Sequence, residues 1–351
     1  MIPTKFKFGV LTEKGHAEVR ESELHELKPD ELLVKQEACN ICTTDYQQWL
    51  GLREHQGYPM AGGHEGSGIV IAKGDKVGNF EIGDRVSILY DYCGICDNCK
   101  AGMITICQNK KLFGKNYHDE YFGIFGFSNY FIRNAKSFVK MNVELSPSEA
   151  GFVEPLGSVL HGLRKIRLQG GFDTVVVIGG GTMGLLNAAA ARAMGARVIV
   201  SGRGEKKLEI GRKMGFEMID AGNCYPIIEV KKLTNGRGAD AVIVSAGTTI
   251  ANQQALEMAK GQHGRILFYA AGFPLPELNV DSNVIHYKNL ELIGTFGSTL
   301  EDFNNAGRML SERRIDVSYL IEEKVPLSNI QEAFKKASTK GNFRISVMLH
   351  E

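Results

Sequence analysis

Hydrophobic and polar positions alternate in short runs over residues 5–145, as in Glu31-Leu-Leu-Val-Lys-Gln-Glu, Gly68-Ile-Val-Ile-Ala-Lys and Asp84-Arg-Val-Ser-Ile-Leu. A period of two, broken by turns, predicts a β-rich domain. At Val175 the pattern changes to apolar strands separated by helical stretches. Strands are expected at Val175–Ile178, Arg197–Ser201, Glu217–Ile219, Asp240–Ser245 and Arg265–Ala270, with helices at Gly184–Met194 and Lys206–Met214 among them. This βαβ repetition predicts a doubly wound parallel sheet, so the fold class is α/β with a β-rich partner domain. From about Thr295, helical segments at Leu300–Leu310 and Ser328–Ala337 precede a closing strand, Ile345–Leu349. The pattern leaves open which domain that strand joins, the first being one candidate.

A length of 351 residues with 43% hydrophobic side chains suits a globular chain of about two to three domains. Forty-one basic against 40 acidic residues leave a net charge of +1, with no run of like charge long enough to make an electrostatic footprint for nucleic acid. The N-terminus lacks a charged segment followed by an apolar one, so it does not read as a signal peptide. The most apolar stretch, Val175 to Val200, is rich in glycine and alanine and carries Arg192 and Arg197, which argues against a membrane span. A cytoplasmic protein is expected.

Four of the seven cysteines, Cys93, Cys96, Cys99 and Cys107, form a C-x2-C-x2-C-x7-C cluster. Four thiolates this close can surround one Zn2+ tetrahedrally, with no position left for substrate. Such a site organises a loop; disulfides would need an oxidising compartment that nothing else in the sequence supports.

Directly after the strand ending at Ile178 comes Gly179-Gly180-Gly181-Thr182-Met183-Gly184, and a helix follows. Gly179 allows a tight turn, Gly181 lets backbone approach a pyrophosphate, and Gly184 lets helix and strand pack closely; with Thr182 and Met183 they form a candidate dinucleotide loop. An NAD-preferring site would carry a carboxylate at the end of the second strand. The chain has Ser201-Gly202-Arg203 there, followed by Lys206 and Lys207. Arg203 can pair with a 2′-phosphate, Ser201 can donate to it and Lys207 adds charge, which favours NADP(H) over NAD(H).

Three further fragments, Ile41-Cys42-Thr43-Thr44-Asp45, Gly63-His64-Glu65 and Val153-Glu154-Pro155, hold metal-ligand types in single copies. Together with the cysteine cluster and the glycine loop, and in this order, they resemble the zinc-dependent medium-chain dehydrogenase/reductase family, which includes alcohol, sorbitol and threonine dehydrogenases. The resemblance implies a GroES-like catalytic domain over residues 1–153 with two zinc sites, a Rossmann domain over 154–294, and a C-terminal segment, 295–351, returning to the catalytic domain, with the active site in the cleft between the two domains. It implies Cys42 and His64 as catalytic zinc ligands, Glu65 and Glu154 as carboxylates at or beside the metal, Thr44 as a proton-relay hydroxyl and Asp45 as the carboxylate that orients His64. Gln47 stands where many members have a histidine.

Glu154 occupies a position that is cysteine in alcohol dehydrogenases and often glutamate in polyol, threonine and sugar dehydrogenases. The resemblance therefore favours a secondary alcohol of a polyol, sugar alcohol or sugar phosphate, interconverted with its ketone. A threonine or short secondary-alcohol dehydrogenase is the alternative among enzymes, and a non-catalytic cofactor-binding regulator the alternative from another class. A homodimer or homotetramer is implied as well. Trp49, Arg53 and His55, with residues around Phe296, are candidate linings of the substrate site, and Arg344 is a candidate for the pyrophosphate. Cys39 and Cys42 make a C-x2-C pair without a thioredoxin-like context; Cys39 and Cys224 read as packing residues.

Overall fold

The computed structural model describes residues 2–53, 57–109 and 120–350. It divides into two compact units, residues 1–157 with 298–351, and residues 158–297.

The first unit is built on a seven-stranded sheet whose middle is the buried strand Glu31–Asn40. One edge of that strand pairs antiparallel with Glu65–Lys73, followed in the sheet by Arg85–Ile88 and Phe138–Met141. Its other edge is shared: Glu31 to Lys35 pair with Tyr130–Asn134, and Ala38 to Asn40 with the C-terminal strand Arg344–Met348. The closing strand therefore belongs to the first unit, and Ile321–Pro326 adds to it in parallel. A separate hairpin joins Lys5–Glu13 to His16–Glu23.

Two large apolar clusters and a smaller one around Leu33, Ala72 and Ile132 fill this unit. Phe8, Leu32, Val34, Val86, Ile88 and Phe131 form one of the large clusters, and Leu11, Ile41, Trp49, Phe127, Phe334 and Val347 the other. Trp49 is only 8% exposed and stacks on Phe334 with ring centroids 6.2 Å apart. The expectation that it lines a substrate site is corrected: its large apolar area is spent in the core. Arg53 is partly exposed on the loop beyond the same helix, and His55 lies outside the described residues.

In the second unit six parallel strands lie in the order Glu217–Asp220, Arg197–Gly202, Thr174–Ile178, Ala241–Val244, Arg265–Phe268, Glu291–Gly294. In chain order this is 3-2-1-4-5-6, the doubly wound arrangement whose switch point follows the first strand. Thr174–Ile178 and Ala241–Val244 are buried at every position, which is why they read as unbroken apolar runs. The helices Thr182–Ala193 and Glu205–Lys213 follow the first two strands. No helix among the described residues is long and apolar enough to cross a membrane.

Candidate metal centre and dinucleotide loop

Antiparallel pairing brings the fragments of the first unit together. Asn40 faces Glu65 in one ladder and Ser346 in the other. Cys42, just beyond the end of the first strand, His64, just before the start of the second, and Arg344, at the start of the third, thus emerge at one end of three adjacent strands. Donor atoms of Cys42, His64 and Glu65 all lie within 4.8 Å of one another.

Cys42 is also the N-cap of the helix Thr43–Trp49. Asp45, in its first turn and 2% exposed, accepts a hydrogen bond from the Cys42 N–H on Oδ2 (2.9 Å). Its Oδ1 accepts from the Gly63 N–H (3.2 Å) and faces His64 Nδ1 at 3.6 Å. One carboxylate therefore fixes both motifs, as a group behind two metal ligands does. Thr44 occupies the first turn of the same helix and is partly buried, and Gln47 follows three residues later on the same face.

Glu65 is fully buried in a two-pronged pair with Arg344, whose Nε and Nη2 donate to Oε2 (2.9 Å) and Oε1 (2.7 Å). The same guanidinium donates to Cys42 Sγ at 3.6 Å. Glu154 lies in the first turn of the helix Val153–Lys165, and its Oε1 accepts from the Tyr90 hydroxyl at 3.1 Å. Tyr90 itself stacks on the His64 ring, centroids 6.2 Å apart. Sequence reasoning had no signal for Tyr90 and saw Arg344 only as a pyrophosphate candidate.

Charges at this centre fit a cation. Burial opposes protonation of His64, yet the charges of Asp45, Cys42 and Glu154 outweigh it and raise its pKa well above the ordinary histidine value. A metal ion would take the place of that proton, as ligation of imidazole and thiolate generally requires. Burial pushes the Glu154 carboxyl up; His64 and Tyr90 pull against this, and the Glu65 charge adds to it.

Cys39 is fully buried, and burial holds its thiol well above the ordinary value, which disfavours it as the attacking thiolate of a pair with Cys42. Cys224 is exposed, so its reading as a packing residue is corrected.

The four-cysteine segment also fits a metal. Sγ atoms of Cys93 and Cys99 are 3.9 Å apart and those of Cys96 and Cys107 3.8 Å, with all four within 4.8 Å. Tetrahedral Zn–S bonds of about 2.3 Å imply S–S edges of about 3.8 Å. Backbone N–H groups of Ile95 and Cys96 pull the Cys93 thiol down to about 6, whereas burial and the neighbouring thiols push Cys99 up to about 12. Four thiolates can coexist here only around a cation.

In the second unit Gly181 caps the helix Thr182–Ala193 with no side-chain hydrogen bond. A Cβ on Gly184 would fall 1.7 Å from the Gly179 carbonyl oxygen, so only glycine permits this helix–strand approach. Gly179 has φ +122°, outside the ordinary range of other residues. Lys207 Nζ lies 3.9 Å from the point where a Cβ on Gly181 would stand, which puts a cation over the loop. Arg203 is exposed. Ser201 differs from expectation: it is 2% exposed with its Oγ enclosed, and it meets the loop through its carbonyl, which accepts the Gly179 N–H at 2.8 Å. As the side chain stands, it offers no donor to a 2′-phosphate.

Family comparisons point to the same two domains. Residues 28–143 match the alcohol dehydrogenase GroES-like domain and residues 182–312 the zinc-binding dehydrogenase domain. A 2-dehydro-3-deoxy-L-galactonate 5-dehydrogenase of Pseudoalteromonas atlantica is 31% identical over 304 residues, 86% of each chain. The chain belongs to the zinc-dependent medium-chain dehydrogenase family. A sorbitol dehydrogenase of Halalkalibacterium halodurans is 28% identical over 346 residues, 95% of this chain and 96% of the relative. A solved structure described as a zinc-binding dehydrogenase of Sinorhizobium meliloti, bound to NADP, superposes with a TM-score of 0.85 at 27% identity, over 99% of this chain and 100% of the other. The protein is thus an oxidoreductase of the alcohol and polyol dehydrogenase type that uses zinc and NAD(P), with a GroES-like domain and a Rossmann sheet.

Proposed function

We propose that this dehydrogenase interconverts a secondary alcohol of a polyol, sugar alcohol or sugar derivative with its ketone, with NADP(H) as the preferred hydride carrier. One zinc is held by Cys42, His64 and Glu154, and a second by Cys93, Cys96, Cys99 and Cys107. The observation that carries the reading is the convergence of Cys42 and His64 on a single carboxylate, Asp45, beside Glu154. Relatives named for a sugar acid and for sorbitol, both polyhydroxylated chains, support the substrate class.

When bound, zinc supplies Lewis-acid polarisation of the substrate oxygen and the nicotinamide accepts or supplies hydride. The protein's own residues hold and move the rest. Asp45 keeps Cys42 and His64 in register. Arg344 occupies both oxygens of Glu65, which leaves Glu154 as the carboxylate available to complete the donor set. Thr44 takes the alcohol proton and passes it on; Gln47, one turn later, has no titratable group, so the proton's onward path runs through water or another group. Gly179, Gly181, Thr182, Met183 and Gly184 cradle the pyrophosphate, Lys207 neutralises it and Arg203 pairs with the 2′-phosphate. The NADP-bound neighbour supports that preference.

A cytoplasmic location belongs to the same reading, as does a homodimer or homotetramer, the latter supported by the edge strand Glu291–Gly294 and by the exposed Phe273, Leu275 and Tyr287 of the same unit.

The test is zinc content of wild type and Cys42→Ala, with NADPH and NADH oxidation followed against ketoses, ketose phosphates and keto sugar acids. Two zincs falling to one, with turnover lost, is the expected result. One zinc in both proteins after reconstitution, with no turnover on any substrate, would overturn the reading in favour of a cofactor-binding regulator.

A further inference from the structure

Tyr90 lies in the short connection between the strand Arg85–Ile88 and Cys93. That connection is pinned on both sides of the tyrosine. The Leu89 N–H donates to the Ser137 carbonyl (2.7 Å), the Ser137 hydroxyl donates to Asp91 Oδ1 (3.4 Å), and Lys136 Nζ sits 5.2 Å above the Tyr92 ring. The Tyr90 ring lies at 25° to the His64 ring, so it cannot swing without leaving that face. Its hydroxyl donates to Glu154 Oε1 at 3.1 Å, 64 residues along the chain.

Glu154 is not among the three residues whose donor atoms all lie within 4.8 Å of one another. Without a fixed partner its side chain could bind a metal through one oxygen, through both, or through neither. We propose that Tyr90 is a positioning residue of the catalytic metal centre: by holding Oε1, it presents Glu154 to the metal as a donor through Oε2 alone. The inference rests on the reading of Glu154 as the third donor. Hydrogen-bonded partners behind metal ligands typically change metal affinity by about 10–100-fold when removed. Tyr90 also stands three residues before Cys93, so the metal-organised cysteine loop anchors the backbone that carries it.

The experiment compares full-length wild type, Tyr90→Phe, Glu154→Ala and the double variant. Zinc affinity of the catalytic site is measured by chelator competition, and its ligand field by the visible absorption of the cobalt(II)-substituted protein. Tyr90→Phe keeps the ring against His64 and removes only the hydroxyl. It should weaken zinc binding about 10–100-fold and shift the cobalt bands, and it should add nothing when Glu154 is already alanine. An unchanged affinity and spectrum in Tyr90→Phe, with a clear loss in Glu154→Ala, would reduce Tyr90 to a packing residue. Equal weakening in both backgrounds would route its effect through His64 and overturn the proposal. No change in Glu154→Ala itself would remove the reading of Glu154 as a donor, and this inference with it.

Discussion

Asp45 shows how much one side chain can decide. Its two oxygens reach the Cys42 N–H, the Gly63 N–H and the His64 ring, so it joins two sequence motifs that are separately weak. Asp45→Asn keeps the size but loses the charge facing His64. Zinc affinity of the Cys42–His64 centre should fall about 10–100-fold, while the four-cysteine site keeps its metal; chelator competition with two resolved phases measures both. Equal affinities in the two proteins would show that the backbone alone holds the ligands. Arg203 makes a second residue-scale prediction. Arg203→Ala should lower kcat/KM with NADPH at least about tenfold, the size of one lost charge-assisted contact of about 1.5–3 kcal/mol, and leave NADH nearly unchanged. A parallel loss with both cofactors would make Arg203 a general structural arginine.

Elements turn such residues into sites. The approach of the helix Thr182–Ala193 to the strand before it depends on Gly184, where a Cβ would overlap the Gly179 carbonyl. Gly184→Ala should therefore cost about 3 kcal/mol, the upper end of overpacking penalties, and abolish NADPH binding as read by fluorescence titration. At the other end of the sheet, Asp240 accepts the Thr174 N–H (2.9 Å) and Lys260 Nζ (2.8 Å). Burial pushes its carboxyl up, but Lys260 and the Thr174 N–H outweigh that and hold it below the ordinary value. A depressed carboxylate stabilises the fold above its unfolded pKa of about 3.9, and this contribution is lost as pH falls through the lower folded value. Asp240→Asn should thus flatten the acid limb of the stability curve below about pH 4, and should cost about 1 kcal/mol at neutral pH; a limb identical to wild type would exclude Asp240.

What the sequence disclosed follows from the same physics. Strands buried on both faces, such as Val175–Ile178, announce themselves as apolar runs. Glu291–Gly294, a partly exposed edge strand, gives no such run and went unseen. The cysteine spacing and the glycine loop were legible because their chemistry is local. The Arg344–Glu65 pair spans 279 residues, and Tyr90 carries no motif, so only the folded sheet brings them to the centre. Trp49 failed in the opposite direction, since a tryptophan near a motif reads alike whether it lines a site or fills a core.

At the scale of the whole molecule, chemistry and stability divide along the same line. Both candidate metal centres, with Tyr90, Glu154 and Arg344, belong to the unit formed by residues 1–157 and 298–351, and the glycine loop with Lys207 and Arg203 to residues 158–297. The chain passes from one unit to the other only twice, at 157/158 within the helix Val153–Lys165 and at 297/298. The second passage is held on the metal side: Ser298 exchanges hydrogen bonds with Thr105 Oγ1 (2.9 and 3.1 Å), and the Leu300 N–H donates to the Gly102 carbonyl (3.2 Å), both partners lying inside the cysteine loop. Each ligand should therefore stabilise its own unit, because a ligand that binds only the folded form adds RT ln(1 + [L]/Kd), about 2.7 kcal/mol at a hundredfold excess over Kd. In calorimetry, a strong chelator should lower one unfolding transition and leave the other in place, while NADPH should raise the second and leave the first. Cys96→Ser should reproduce the chelator's effect at the structural site and, by freeing the Gly102–Thr105 loop, expose the 298–300 amides to hydrogen exchange. A single transition that moves equally with chelator and with NADPH would show that the helix Val153–Lys165 couples the two units into one cooperative fold.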